Sequence, residues 1–238
     1  MRPRATFRSA CSGLLLAILL GVAARVAGAP VAEVTHVSGA LIARKADGSS
    51  RILAPQSKVE SGELLATAQD TYARIKFTDG SEVTLRPNTQ FRIDAFNYEE
   101  RNAEQDSALF SLIKGGLRTI TGLIGKRKPR AYEMRTTTAT IGIRGTNYGL
   151  LLCQGDCGTV RANDGKTPAD GLHLDVAEGA ISVTNQSGQV IFTAGQFGFV
   201  QNSSSQPTAV PPEQGATRNI PSFTSDNLPG KAPACVVQ

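Results

Sequence analysis

Few side chains in this 238-residue chain are of a type that does chemistry at neutral pH. The only histidines are His36 and His173, and the cysteines are Cys11, Cys153, Cys157 and Cys235. Nucleophilic catalysis needs a Ser, Cys or Thr with a base in reach. His36 sits beside Val37 in a strand-like stretch. His173 alternates with Leu172 and Leu174, which turns it away from a core built on those leucines. There is no Gly-x-Ser-x-Gly elbow, Walker loop, dinucleotide fingerprint or His-Glu-x-x-His motif. Glu99, Glu100, Glu104 and Asp106 are close in sequence, but a solvated acidic loop accounts for them better than a glycosidase pair. The expectation is a protein with no catalytic residue, no cofactor and no metal site.

Two groups of residues invite a positive reading. Cys153-Gln-Gly-Asp-Cys157 can close on itself, because Gly155 permits the sharp bend that a bridge between Cys153 and Cys157 requires. Pairings of either cysteine with Cys235, or a metal site with His173, are the alternatives, and zinc would want more ligands than these supply. The second group is Gly142, Arg144, Gly145 and Thr146, a candidate interaction motif. Arg144 could offer its fork of donors to a carboxylate or a sugar hydroxyl, or could pair with an acidic neighbour and fix a turn.

The elements that must hold these residues read as strands. Ala73, Ile75 and Phe77 alternate with Arg74, Lys76 and Thr78, and Val83 and Leu85 alternate with Glu82, Thr84 and Arg86. A three-residue loop at Thr78-Asp79-Gly80 puts Ile75 opposite Val83 and Ala73 opposite Leu85, whereas a two-residue loop would oppose Lys76 to Val83. At Glu178-Gly179 the arithmetic allows either a tight turn or a bulge within one strand. No amphipathic helical pattern stands out. The expected fold class is all-β: a single β-sandwich or jelly-roll-like domain of short strands, with an irregular β-solenoid as the alternative. Two polar stretches interrupt it, Asn97 to Asp106 and Gln154 to Gly171. Long loops of this kind are where function often sits.

The ends differ in composition. Arg2, Arg4 and Arg8 precede the apolar run Gly13–Ala24, followed by small residues around Gly28, the pattern of a cleavable secretory signal peptide over 1–28. The run is too short, and too interrupted by Arg25, to span a membrane stably. Four of the chain's 25 basic residues lie in this segment and none of its 20 acidic ones, so the remainder is near neutral and nucleic acid is not an expected partner. The cluster Lys126-Arg-Lys-Pro-Arg130 reads as a solvated loop tip. Residues 201–238, rich in Ser, Pro, Gln and Asn, read as a mostly disordered low-complexity tail. In it, Ile220-Pro-Ser-Phe223 could dock as a short extended piece. The folded domain is expected over 29–200.

Four segments in order carry a resemblance: Tyr72–Thr89, Ser111-Leu-Ile-Lys-Gly-Gly-Leu-Arg118, Tyr132–Thr146, and Val176–Thr184 with Ala194-Gly-Gln196. Together, over roughly Val34 to Val200, they resemble the FecR-like domain family, the periplasmic part of ferric-citrate-type sensors. The resemblance implies an all-β domain that signals by protein–protein contact without catalysis. Sensor members carry a segment that holds a sigma factor ahead of the membrane span, whereas here only Met1–Ser12 precedes the apolar run. The expectation is therefore an exported periplasmic or secreted module that binds a protein partner at the bacterial envelope. A carbohydrate- or peptidoglycan-binding module is the alternative, weakened by the absence of Trp.

Overall fold

The computed structural model describes residues 28–217. The signal peptide up to Ala27, Cys11, Cys235 and the Ile220–Phe223 segment lie outside these residues.

The chain forms strands β1 (Pro30–Val37), β2 (Leu41–Arg44), β3 (Ser50–Leu53), β4 (Lys58–Glu60), β5 (Leu64–Thr67), β6 (Ala73–Phe77), β7 (Glu82–Leu85) and β8 (Gln90–Asn97). They are followed by β9 (Ser107–Ile120), the short helix α1 (Leu123–Arg127), β10 (Tyr132–Arg135), β11 (Thr140–Cys153), β12 (Gly171–Asn185), β13 (Gly188–Thr193), β14 (Phe197–Val200) and β15 (Thr208–Val210). All fifteen strands belong to one continuous mixed sheet. The sheet folds over because β9, β11 and β12 are long enough to run through two layers. One layer has the order β4-β1-β6-β7-β9-β11-β12-β14-β15 and uses the C-terminal halves of β9 and β11 and the N-terminal half of β12. The other has the order β3-β2-β5-β8-β9-β10-β11-β12-β13 and uses their remaining halves. Among the described residues only β9 and β10 pair in parallel, so the stacked parallel coils of a solenoid are not formed.

The layers meet along the apolar faces that the period-two pattern defines. Phe77 of the first layer packs on Phe96 and Phe110 of the second at centroid separations of 4.9 and 5.2 Å. Tyr148 of the first layer meets Tyr132 of the second through a 2.8 Å hydroxyl–hydroxyl hydrogen bond. Both tyrosines are buried, and burial pushes the Tyr132 phenol up to about 12 and raises that of Tyr148 well above its usual value.

Each long strand bends at a glycine with positive φ: Gly115 at 77°, Gly145 at 59° and Gly179 at 74°. At Gly179 the approach is as decisive as the dihedral. A Cβ there would stand 2.0 Å from the carbonyl oxygen of Gly145. The ambiguous Glu178-Gly179 step is therefore a bend within continuous β12, with its register against β11 shifted between Arg144 and Asn147. The three-residue loop holds as the buried-face argument requires, with Ala73 opposite Leu85, Ile75 opposite Val83 and Gly80 at φ 80°.

The fold continues past Val200. β15 pairs with β14, and Ala216 and Thr217 are buried. Small and polar residues achieve this without large apolar side chains. Asn185 Nδ2 donates to the Ser205 carbonyl at 2.6 Å, and Asn163 Nδ2 donates to the Pro212 carbonyl at 2.7 Å. Composition alone points to a tail from 201 onward because it registers missing hydrophobic bulk and not these side-chain-to-backbone bonds.

Candidate functional site, a corner where five segments meet

The bend in β11 sits where five pieces of chain converge. The Thr121 N–H donates to the Thr146 carbonyl at 2.9 Å, and the Thr121 hydroxyl accepts from the Thr146 N–H at 2.8 Å. The Leu123 N–H donates to the Asp79 carbonyl at 2.9 Å, and the Ile124 N–H to the Asp79 carboxylate at 3.2 Å. The Ala194 N–H donates to the Gly179 carbonyl at 3.0 Å. The β6–β7 loop, the β9–α1 junction, both strand bends and the β13–β14 turn are thus tied mainly through backbone groups. Such ties cost little conformational entropy to maintain in a bound state.

On this frame Arg144 is exposed and, among the described residues, in no ion pair. The turn-fixing carboxylate considered for it is not found there. Gly145 is exposed, Gly142 half-buried and Thr146 buried. The Thr146 hydroxyl has no hydrogen-bond partner among the described residues, although its backbone N–H and carbonyl both bond to Thr121. Beside them lie two large apolar side chains left in solvent, Ile120 and Leu123, at 48% and 46% exposure. Ile120 stands opposite Asn147 in the sheet, which places it next to the bend. The corner therefore presents a free guanidinium with flanking apolar surface, a composition that recurs at protein-binding hot spots. No signal in the sequence marked Ile120 or Leu123. Both continue an apolar pattern, and only the sheet end leaves them uncovered.

The Lys126–Arg130 cluster is less free than a solvated loop tip would be. Arg127 grips Asp106 through Nε and Nη2 at 2.7 and 2.8 Å, donates to the Glu100 carbonyl and lies 4.7 Å over the Tyr98 ring. The side chain of Asp106 is fully buried, and the Arg127 hydrogen bonds hold its carboxyl below the usual range. The acidic loop and the basic cluster thus clamp each other, and the four acids do not converge as a catalytic pair.

The remaining singled-out residues scatter. Cys153 and Cys157 are bonded to each other, with an S–S distance of 2.02 Å. His36 is half-buried in β1, and burial lowers its pKa. His173 does turn away from the main core, but it is buried on the outer face, packed at a tilt against Phe199 with ring centroids 4.8 Å apart and bonded through Nε2 to the Ala169 carbonyl at 2.8 Å. The loop 154–170 folds back over that face, which alternation along one strand does not reveal. Burial lowers the His173 pKa as well. Among the described residues no group of three or more His, Cys, Asp or Glu could hold a metal ion, and no helix is long and apolar enough to cross a membrane.

Sequence reasoning also missed an ion pair. Arg118 makes two 2.9 Å bonds to Asp175, which is fully buried. Their strands flank β11, and Gly149 lies opposite both residues. Having no side chain, it leaves room for the pair to close over it.

No curated protein matches the chain. Among solved structures, two crystal structures, at 1.65 and 2.50 Å, of a protein from Parabacteroides distasonis provisionally described as an anti-sigma factor are each 14% identical, with TM-scores of 0.46 and 0.47. Each match covers 64% of this chain and 60% of the other, and similarity at this level transfers no function. The model of the family described as FecR protein matches residues 63–182, from the β4–β5 connection to β12, and with just over half of its length matched this chain belongs to the FecR family.

Proposed function

We propose that this chain is an exported, non-catalytic FecR-type module of envelope signalling, acting in the periplasm or outside the cell, that docks a protein partner through the corner around Arg144. The observation that carries this reading is the exposed, unpaired Arg144 beside exposed Ile120 and Leu123 on a backbone-tied frame. Family membership supports a regulatory role, and the signal-peptide pattern supports export. The absence of catalysis rests on what the candidate residues do: Asp106 is committed to Arg127, His173 to a carbonyl, and Cys153 to Cys157.

The test is a photo-crosslinking residue placed at Leu123 and, for comparison, at Ile52, which is also exposed but lies in β3 at the far edge of the second layer. Irradiation of intact cells should give one discrete crosslinked protein from position 123 and not from 52, and Arg144→Glu should abolish it. Crosslinks from 52 alone, or a corner crosslink unaffected by Arg144→Glu, would remove the corner from the account. Retention on peptidoglycan, with no protein adduct, would favour the carbohydrate-binding alternative.

A further inference from the structure

A second site lies at the other end of the β9 segment that leads to the corner. There, between the disulfide loop and the β7–β8 connection, is a cavity of about 600 Å³, within the size range of small-molecule sites. Arg86 lines it and is only 7% exposed. Among the described residues its one side-chain hydrogen bond is from Nη1 to the Ala216 carbonyl at 3.1 Å, which engages a single one of its five N–H donors. No described carboxylate pairs with it. Its neighbour Arg118 is already neutralised by Asp175. A buried guanidinium without a counter-charge is costly, and burial pulls the Arg86 pKa down from its usual value. Next in the chain to the Ala216 acceptor, the buried Thr217 hydroxyl also has no hydrogen-bond partner among the described residues.

We propose that this cavity binds a carboxylate, with Arg86 as its counter-ion. The other walls decide what kind. Tyr72, Pro87, Leu151 and Val160 offer apolar surface for an organic body. Asp70, Asp156 and a second guanidinium, Arg161, also line the cavity; Asp156 pairs with Lys114 at 3.3 Å, and Arg161 donates to the Gly158 and Val160 carbonyls. Arg86, Arg161 and Lys114 against Asp70 and Asp156 leave one positive charge, which a singly charged carboxylate neutralises and a doubly charged phosphate would exceed. The ligand class is therefore a monocarboxylate carrying an apolar or aromatic group, supplied either by a free organic acid or by the C-terminus of a peptide. This inference is independent of the partner surface around Arg144.

The experiment is an NMR titration of the full mature protein, labelled at arginine nitrogen, with benzoate, with N-acetyl-pentaalanine bearing a free C-terminal carboxylate, with the amide of that peptide, and with inorganic phosphate. Benzoate or the free-acid peptide should shift the Arg86 Nε resonance saturably, and the stronger of the two identifies the source. The amide should have no effect. Arg86→Met should weaken binding by an order of magnitude or more, and Arg86→Lys by less. Because Arg86 also holds the Ala216 carbonyl, Thr159→Trp provides a second variant that fills the exposed rim and leaves the guanidinium in place. It should block the titration in a folded protein. No saturable shift in the tens of millimolar, an equal response to phosphate, or binding that survives both Arg86→Met and Thr159→Trp would overturn the proposal.

Discussion

The two ends of the first layer are built on different principles. At the Arg144 corner, backbone groups bond to backbone groups, and the bends in β11 and β12 approach so closely that only glycine fits at position 179. At the opposite end, the loop 154–170 and the segment 211–217 share two backbone bonds, Asn163 to Gly215 at 2.9 Å and Asp164 to Glu213 at 2.8 Å, but side chains add much of the hold: the Cys153–Cys157 bridge, the bonds from Arg86 to the Ala216 carbonyl and from Asn163 to the Pro212 carbonyl, and a small cluster of Leu151, Ala162 and Ala216. A backbone-tied corner keeps its shape when surface side chains change, so it can carry an exposed recognition residue. A lid held in part by a disulfide and charged side chains can border a cavity whose walls respond to charge, redox state and pH.

The largest expected effect falls on the corner. Gly179→Ala should cost about 3–5 kcal/mol, since both the positive φ and the clash with Gly145 oppose it. Gly145→Ala, at φ 59° with open space around the added methyl, should cost only about 1 kcal/mol. Urea midpoints of the two variants measure the difference, and equal losses would mean that close approach does not hold the corner.

Beneath the lid, Arg118→Met takes two hydrogen bonds and a guanidinium away from the fully buried Asp175 carboxylate and should cost about 3 kcal/mol. Adding Asp175→Leu should restore much of that loss, because no buried carboxylate then remains deprived of its guanidinium. A double variant no better than the single would show that the pair itself, and not the buried carboxylate deprived of Arg118, dominates.

Replacing Cys153 and Cys157 together by serine should cost at most about 2 kcal/mol, because the closed loop is short. Protease cutting within 154–170 should rise more than global stability falls, and mapping the cut sites under native conditions reads this directly.

The smallest effect is the pH dependence. His173 has its pKa lowered by burial, so the folded state favours the neutral ring. That contribution is complete above the usual value of 6.5 and fades as pH falls through it toward the lowered one. His36 adds in the same direction. Asp106, lowered by Arg127, matters only below the ordinary carboxylate range, where stability declines as pH falls toward its depressed value. Between pH 7 and pH 5, His173→Phe should flatten the stability profile of the lid without abolishing the residual slope from His36. An unchanged slope would place the titration elsewhere.

The strands and the register of the β6–β7 hairpin were legible because alternation is a local signal and a one-residue slip would expose Ile75 and Val83. The close cysteine spacing likewise made the Cys153–Cys157 bridge readable. What alternation could not supply was which strands serve two layers. The bends at Gly115, Gly145 and Gly179 look like ordinary strand glycines until their partners are known. The same limit hid the Arg118–Asp175 pair, 57 residues apart, and the burial of His173 under a polar loop. The motif around Arg144 was visible, but whether Arg144 was paired depended on neighbours from four other segments.

The central claim is that the Arg144 corner is a protein-docking surface. The most direct measurement is in-cell photo-crosslinking from Leu123, with and without Arg144→Glu, using Ile52 as the control position. The account predicts one discrete protein adduct from Leu123, none from Ile52, and its loss in a folded Arg144→Glu variant. An adduct that persists undiminished in that variant, or that forms only from Ile52, would contradict it.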